Sequence, residues 1–474
     1  MRTLTLLTLS AVSWICSCGT NPATKLPPRG PFGPVQISRP DPFVGCGASG
    51  QQIGADVEPS LAIDPGNPDR LVAVWQQDRL ATNSAAGATT AMSHDGGRTW
   101  FTQPLPGLTL CDAGPCAAAT DTWASIGPDG TAYIGAVACA GAGTAADRSA
   151  VVMSVSRGGG KQWAHPGVVA TAQVSGTSLD KDMILADPRH AGTVYAVWSQ
   201  VTDLGPSQGA TEVDFARSDD FGATWSEPVR MFKGDDTTSQ FNQILAPRDG
   251  TLVDIFVESP LLSEVSDPPQ APTMQLRAVR STDGGKTWSE PQTITSFPYT
   301  VATDPLSGAP IRATGQDITA TSDRQGTLYV GWFAVHTSSQ SSIWIASSVD
   351  TGKTWSAPIT VVQRSGEEVF LPEVAAADDG RIAVLWYQTE EAAAQRRFDV
   401  GVWYALSSDQ GKLWSDRELD GPFDMSTAPT SSLGPFLGDY EGIVGLPDGF
   451  AFAYAKAIPV AAGNGLSAMF FARR

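Results

Sequence analysis

Eight residues, SHDGGRTW from Ser93 to Trp100, return along the chain. The later copies are SDDFGATW (Ser218–Trp225), STDGGKTW (Ser281–Trp288), SVDTGKTW (Ser348–Trp355) and SSDQGKLW (Ser407–Trp414). A decayed sixth, SRGGGKQW (Ser156–Trp163), has Gly158 where the acid stands elsewhere. The closing tryptophans are 63, 62, 63, 67 and 59 residues apart. A unit near sixty residues is too long for helical solenoid repeats and suits a four-stranded sheet plus loops, repeated radially. The octet itself reads as a tight hairpin turn. Its Asp accepts hydrogen bonds from turn N–H groups, its Gly supplies positive φ, and its Trp buries a large plate against neighbouring strands.

A second pattern lies between the octets: an apolar strand, a turn rich in Pro, Gly and Asp, and a second apolar strand. It occurs seven times, beginning near Glu58, Asp121, Asp182, Asn242, Asp317, Glu373 and Tyr440. Seven inner hairpins predict seven blades of an all-β propeller, with a six-bladed ring as the alternative. The last unit is one strand short, because the chain stops after LSAMFFARR. FGPVQIS, Phe32 to Ser38, resembles the strands that follow the octets and is expected to close the ring. Closure removes exposed sheet edges.

The 474 residues are 42% hydrophobic and 17% charged, ample for a sizeable core, and the net charge is −18. That sign repels nucleic acid and anionic lipid heads, so neither is expected as a partner. The N-terminus carries Arg2 and then a short apolar run from Leu4 to Ile15, which reads as an export signal over residues 1–17. ICSC, Ile15 to Cys18, resembles a bacterial lipobox, with Cys18 the acylated residue. The expectation is an exported envelope lipoprotein, with a tether over 18–31, a propeller over 32–474, and a membrane contact made only through the lipid. Four further cysteines, Cys46, Cys111, Cys116 and Cys139, allow three disulfide pairings. A small Cys111–Cys116 loop would leave Cys46 with Cys139. The four histidines are scattered and give no zinc spacing or Ser–His triad.

The octets are Asp boxes, and with the inner hairpins they resemble the sialidase superfamily. The resemblance is greatest to the bacterial exo-α-sialidase-like, BNR-repeat secreted proteins. It covers roughly Phe32 to Arg474, and EPSLAIDPGNPDRLVAVWQQDR and FLGDYEGIVGLPDG carry it most closely. The resemblance implies a propeller and a glycoside hydrolase acting on extracellular or envelope glycans. Sialidases of this kind have six blades, clamp the sugar carboxylate with three arginines, and use a Glu-activated Tyr nucleophile and an Asp acid/base. Where their first arginine stands in an Arg-Ile-Pro segment, this chain has Val57-Glu58-Pro59. Arg79, Arg148, Arg396 and Arg397 lie in loops able to reach the same face without matching that pattern.

Candidate chemistry gathers at the starts of the inner strands, which ring one mouth of a propeller opposite the box turns. Glu58, Asp121, Asp180, Asp182, Asn242, Gln243, Asp317, Glu373, Asp439, Tyr440 and Glu441 occupy these places. Crowded carboxylates raise one another's pKa, and a raised acid beside an ionised one is the pair that glycoside hydrolysis requires. Tyr440 is the candidate nucleophile, Glu373 or Glu441 its activator, and Asp121 or Asp182 the acid. Glu58, Arg79, Asn242, Gln243, Asp317 and Asp439 are candidate substrate contacts. No cofactor is expected, although a carboxylate rim also suits structural calcium. Trp75, Trp198, Trp332, Trp386 and Tyr387 are read first as interblade core and second as sugar platforms. The expected partner is a carbohydrate or glycoconjugate, met by a monomer. The competing reading is a non-catalytic propeller that binds glycan or protein at the envelope. A polysaccharide lyase fits less well, because an acidic mouth disfavours an anionic polymer.

Overall fold

A computed structural model describes residues 30–47, 50–80, 83–139, 148–172, 176–205, 208–234, 237–260, 272–305, 307–337, 340–390, 397–459 and 466–474. The export segment, Cys18, most of the tether, and Arg396 lie outside the described residues. Seven four-stranded antiparallel sheets make up the fold. Their first strands are Gln52–Asp64, Thr120–Ile126, Thr177–Ala186, Thr237–Leu245, Thr319–Ser322, Val369–Ala376 and Gly442–Leu446. Each first strand touches that of the next blade, and the seventh touches the first, so these strands encircle one axis.

The ring closes as the sequence predicts. Strand Phe32–Gln36 pairs antiparallel with the C-terminal strand Ser467–Arg473, Phe32 opposite Arg473 and Gln36 opposite Phe470. Beyond it, Ile37 N–H donates to the Met469 carbonyl at 2.8 Å. The last blade thus joins both ends of the described chain, and no sheet keeps an open edge at the seam.

The boxes connect third to fourth strands and staple blades to one another. In the first, Ser93 Oγ accepts from Gly97 N–H at 2.8 Å, and Asp95 accepts from Thr99 N–H at 2.9 Å and Thr99 Oγ1 at 2.6 Å. The same set recurs at Ser281, Asp283, Gly285 and Thr287. Gly97 and Gly285 have φ near +90°, and a Cβ at either would strike a phenylalanine ring, Phe471 or Phe215, at 2.1 Å. Those rings belong to the third strand of the preceding blade, and the box tryptophans pack on them: Trp100 on Phe471 at 5.0 Å, Trp288 on Phe215 at 5.3 Å. The decayed box keeps its Gly160 N–H to Ser156 Oγ bond at 3.0 Å.

Trp75, Trp198, Trp332, Trp386 and Tyr387 are all buried on second strands between sheets. Burial of a tryptophan removes about 200 Å² from water and contributes up to roughly 5 kcal/mol. Their role here is core packing.

The disulfides are Cys46–Cys111 and Cys116–Cys139. This corrects the pairing favoured by sequence proximity. The segment around the short helix Leu110–Asp112 holds Cys111 toward the N-terminal arm and Cys116 toward the second blade, where Cys139 N–H also points at the Cys116 sulfur.

Candidate functional site

Five of the first strands carry the same irregularity. Their register slips at Val57/Ser60, Thr120/Trp123, Asp180/Met183, Gln240/Gln243 and Phe370/Glu373. At each slip sits a non-glycine residue in the left-handed region: Glu58, Asp121, Lys181, Phe241 and Leu371, with φ between 49° and 60°. Such a bulge bends the strand and re-aims side chains, at about 1–3 kcal/mol each. Repeated around the axis, it turns the polar residues of several blades toward the hub.

The centre of the hub is Asp439. Arg312 grips it with two bonds, Nη2 to Oδ2 at 2.7 Å and Nε to Oδ1 at 3.2 Å, and Lys181 Nζ reaches Oδ2 at 2.5 Å. Lys181 also pairs with Asp121 at 3.2 Å. Although burial pushes the Asp439 carboxyl up, Lys181 and Arg312 hold it well below the usual carboxylate range. Glu58 closes the group. Its Oε1 accepts from the Asp439 N–H at 3.2 Å, and its Oε2 accepts from Gln76 Nε2. Burial, with Asp439 nearby, pushes Glu58 up to about 8.

Asp182 is the hub acid whose two carboxyl oxygens both go unsatisfied. It is 1% exposed, and among the described residues neither carboxyl oxygen finds a hydrogen-bond partner on another residue. Burial first, then the neighbouring Asp121 and Asp180, raise its pKa well above the ordinary value. Burial and Asp121 likewise push Asp180 up to about 7. Burial without partners favours the neutral form of a carboxyl, because ionising it would strand a charge in low dielectric. Asp182 lines a cavity of about 20 Å³ together with Asp121, Trp123, Lys181, Asn242 and Tyr440. Room of that size admits a single water. Gln243 and Asp439 line it as well.

Above the hub the mouth is covered. Strands Val301–Thr303 and Pro310–Thr314 form one small hairpin, and Thr430–Ser431 and Gly434–Pro435 form another. The two touch through Pro310–Thr314 and Gly434–Pro435. Phe436, fully buried, lies beneath the guanidinium groups of Arg79 and Arg312, at 3.9 and 4.7 Å from its ring centre. Leu437 then accepts from Glu58 N–H at 3.1 Å.

The predicted residues therefore fall into two groups. Glu58, Asp121, Asp180, Asp182, Asp317 and Asp439 share one electrostatic neighbourhood, with Arg79 beside them. Glu373 and Glu441 form a neighbouring pair, Glu441 N–H donating to Glu373 Oε1 at 3.2 Å. Burial pushes Glu373 up to about 8. The expected coupling of Tyr440 to Glu441 or Glu373 is corrected: Glu441 Oε1 accepts from Tyr387 instead, at 2.7 Å. Tyr440 lines the hub cavity, while Glu441 is turned to Tyr387 and to the Ala455 N–H, from which its Oε2 accepts at 3.0 Å. Tyr440 stacks on Trp123 at 4.7 Å and donates to the Thr122 carbonyl at 3.3 Å. Burial, with Glu58 and Asp121, pushes its hydroxyl pKa up, away from ionisation. Asn242 bonds Ser199 at 3.1 Å, and Asp317 caps the turn at Thr314. Arg148 is exposed, and Arg397 is exposed and pairs with Asp399 at 2.9 Å.

Two hub residues escaped the sequence reading, Lys181 and Arg312. Lys181 stands between two candidate acids in Asp180-Lys181-Asp182, and this alternation was its only signal. Arg312 sits in an insertion between the fourth and fifth blades, outside every repeat. Among the described residues no group of three or more His, Cys, Asp or Glu is placed to hold a metal ion.

The BNR/Asp-box repeat model matches residues 279–290, which contain the octet Ser281–Trp288. No curated protein matches the chain. Among solved structures, one similar to it is a Hadza microbial sialidase, at 15% identity over 85% of this chain and 74% of that one, with TM-score 0.47. Another is an α-L-arabinofuranosidase of Fusarium graminearum, at 12% identity over 80% and 98%, with TM-score 0.49. A third is an α-L-arabinanase of Penicillium chrysogenum, at 12% identity over 76% and 94%, with TM-score 0.48. The repeat and the ring of sheets make this chain a seven-bladed β-propeller that carries the BNR/Asp-box repeat.

Proposed function

We propose that the chain is an exported, lipid-anchored glycoside hydrolase of the sialidase-like kind, working at the acidic hub. The observation that carries this reading is Asp182: a buried carboxyl without a hydrogen-bond partner among the described residues, on the same small cavity as Asp121 and the Trp123–Tyr440 stack. A general acid must hold its proton at working pH, and burial shifts Asp182 in that direction. In this reading Asp182 gives its proton to the leaving glycosidic oxygen and Asp121 faces the anomeric centre. Trp123 and Tyr440 carry a sugar face. As the glycosidic bond breaks, a water adds to the anomeric carbon and its proton goes to Asp121. Substrate access requires the two cap hairpins to part, which releases Arg312 and Phe436. A sialoside would then compete with Asp439 for Arg312 and Lys181, whereas a neutral sugar would not. Export is supported by the two disulfides, which form and persist in oxidising compartments. Acylation at Cys18 rests on the lipobox resemblance.

The test is turnover of a panel of aryl-glycosides, one of them a sialoside, by the purified chain. Asp182→Asn is expected to lower kcat about 100-fold or more on the substrate found, with Tm close to wild type. Wild-type turnover in that variant would remove Asp182 from the chemistry. A specific observation favours a second reading, a non-catalytic glycan- or protein-binding propeller: the covered mouth and the hub cavity of only about 20 Å³. Binding on a glycan array without turnover of any aryl-glycoside would select it.

A further inference from the structure

The propeller axis has a second end, and its chemistry is the reverse of the first. Each first strand leaves the hub and reaches its turn about four residues later, about 13 Å away at about 3.3 Å per residue. There the inward side chains become apolar. Leu61, Ile63, Ala124, Ile126, Leu185 and Leu245, from four successive blades, line an axial well of about 290 Å³. The well shares Pro188, Ala246 and Ser322 with a broader cleft of about 560 Å³ that opens to solvent.

Three arginines stand around this cleft: Arg189, Arg248 and Arg324. They come from the turns after the first strands of three adjacent blades, in Asp187-Pro188-Arg189, Ala246-Pro247-Arg248 and Ser322-Asp323-Arg324. The matching turns of the second and sixth blades carry acids, at Asp129 and at Asp378 and Asp379. The cations thus form a crescent on one side of the axis, in a chain whose net charge is −18.

The three differ in how firmly they are held. Arg189 is bound at two points by the buried Asp187, Nη2 to Oδ2 at 2.7 Å and Nε to Oδ1 at 3.1 Å. Arg324 pairs with Asp378 at 3.2 Å, with the two side chains 53% and 70% exposed. A pair so open to water contributes at most about 1 kcal/mol, so an incoming anion can replace Asp378. Arg248 is exposed and has no hydrogen bond or ion pair among the described residues. Of the acids at the cleft besides Asp378, Asp323 is occupied by its own turn, accepting from Thr327 N–H at 2.9 Å. Asp249, next to Arg248, accepts from Thr251 N–H at 2.9 Å.

We propose that this end of the axis binds a small anionic amphiphile, its carboxylate or sulfonate head on Arg248 and Arg324 and its compact alkyl or aryl body in the well. The guanidinium fork suits such a head, and an apolar pocket with a few polar groups at its lip is the usual form of a small-molecule site. Burial of the body contributes about 25 cal/mol per Å². The site lies at the end of the axis away from the acidic hub and stands independently of the hydrolase reading.

The probe is anilinonaphthalene sulfonate, titrated by fluorescence against the folded chain. One saturable site is expected, emptied by octanoate or phenylacetate and untouched by the same concentration of acetate, which has the head without the body. Whether octanoate or phenylacetate competes better tells an alkyl from an aryl body. The double variant Arg248→Glu, Arg324→Glu changes exposed residues only, and it is expected to weaken binding about tenfold or more at unchanged Tm. Ser322→Trp, which narrows the neck and leaves the arginines, is expected to weaken it as well. No saturable binding by wild type, or superimposable titrations of wild type and the double variant, would overturn the proposal.

Discussion

Asp283, on the rim, and Asp182, at the hub, are the same residue type repeated around the same ring, yet they hold protons in opposite ways. Asp283 is exposed, and bonds from Thr287 and Ser281 hold its carboxyl well below the ordinary value. Asp182 is buried without partners, and its pKa is driven up. The rim acid is satisfied within its own octet, by groups at most four residues away. The acid at the centre of the hub depends on distant chain: Asp439 meets Arg312 across 127 positions, Lys181 across 258 and Glu58 across 381. A repeated acid is therefore a fold staple where the turn solvates it, and a reservoir of strain and chemistry where the turn does not.

The largest expected effect breaks the hub at its centre. Asp439→Asn leaves Arg312 and Lys181 facing each other without their shared counter-charge, which should cost about 3–5 kcal/mol. Urea unfolding measures it. The loss should also loosen the cap, because Arg312 is the cap's ionic hold on the hub. A cost below about 1 kcal/mol would mean that the hub is not organised around Asp439.

The same contrast decides what was legible from sequence. The boxes, the count of seven blades and the closing strand could be read because each is written in a local pattern that repeats with the fold. The gathering of acids at one mouth was legible as well, since each marks the start of an inner strand. Lys181 and Arg312 were not, because nothing local distinguishes a cation that will meet an acid 258 or 127 residues away. The bulges were hidden too: left-handed backbone usually announces itself as glycine, and here it falls on Glu58, Asp121, Lys181, Phe241 and Leu371. The disulfides failed for the same reason, as proximity in sequence favoured Cys111–Cys116 while three-dimensional packing joined Cys111 to Cys46.

The next effect turns the comparison into a pH profile. Glu58 and Glu373 are pushed up to about 8 and Asp180 to about 7, in each case chiefly by burial. In the unfolded chain these groups lose their protons near pH 4–4.5. Between those limits the folded state binds more protons than the unfolded one, so stability falls as pH rises. Melting temperature should therefore decline from about pH 5 to about pH 8, by several degrees, and the double variant Glu58→Gln, Glu373→Gln should flatten the slope. The rim works with the opposite sign. Despite some desolvation, bonds from Thr354 and Ser348 hold Asp350 down to about 2, so its contribution is lost only as pH drops from about 4 toward 2. A melting temperature that rose between pH 5 and pH 8 would reverse the assignment of hub and rim.

The smallest effect repairs the rim. Gly158 stands where the decayed box lacks its acid, its φ lies outside the left-handed region, and the nearest atom to an added Cβ is Lys161 Cβ at 3.9 Å. The serine half of the staple is already in place, Gly160 N–H donating to Ser156 Oγ. The box at Ser407 shows that the threonine hydroxyl can be spared, because Asp409 there accepts from the N–H of Leu413 at 2.9 Å and of Lys412 at 3.1 Å. Gly158→Asp should let a carboxylate accept from the N–H groups of Gln162 and Lys161 in the same way. It also removes a glycine's unfolded-state entropy, so a gain of about 0.5–1 kcal/mol is expected, read as a Tm about 1–3 °C higher. A neutral or lower Tm would mean that the box acids are tolerated on the rim rather than holding it, and the contrast with the hub would then rest on burial alone.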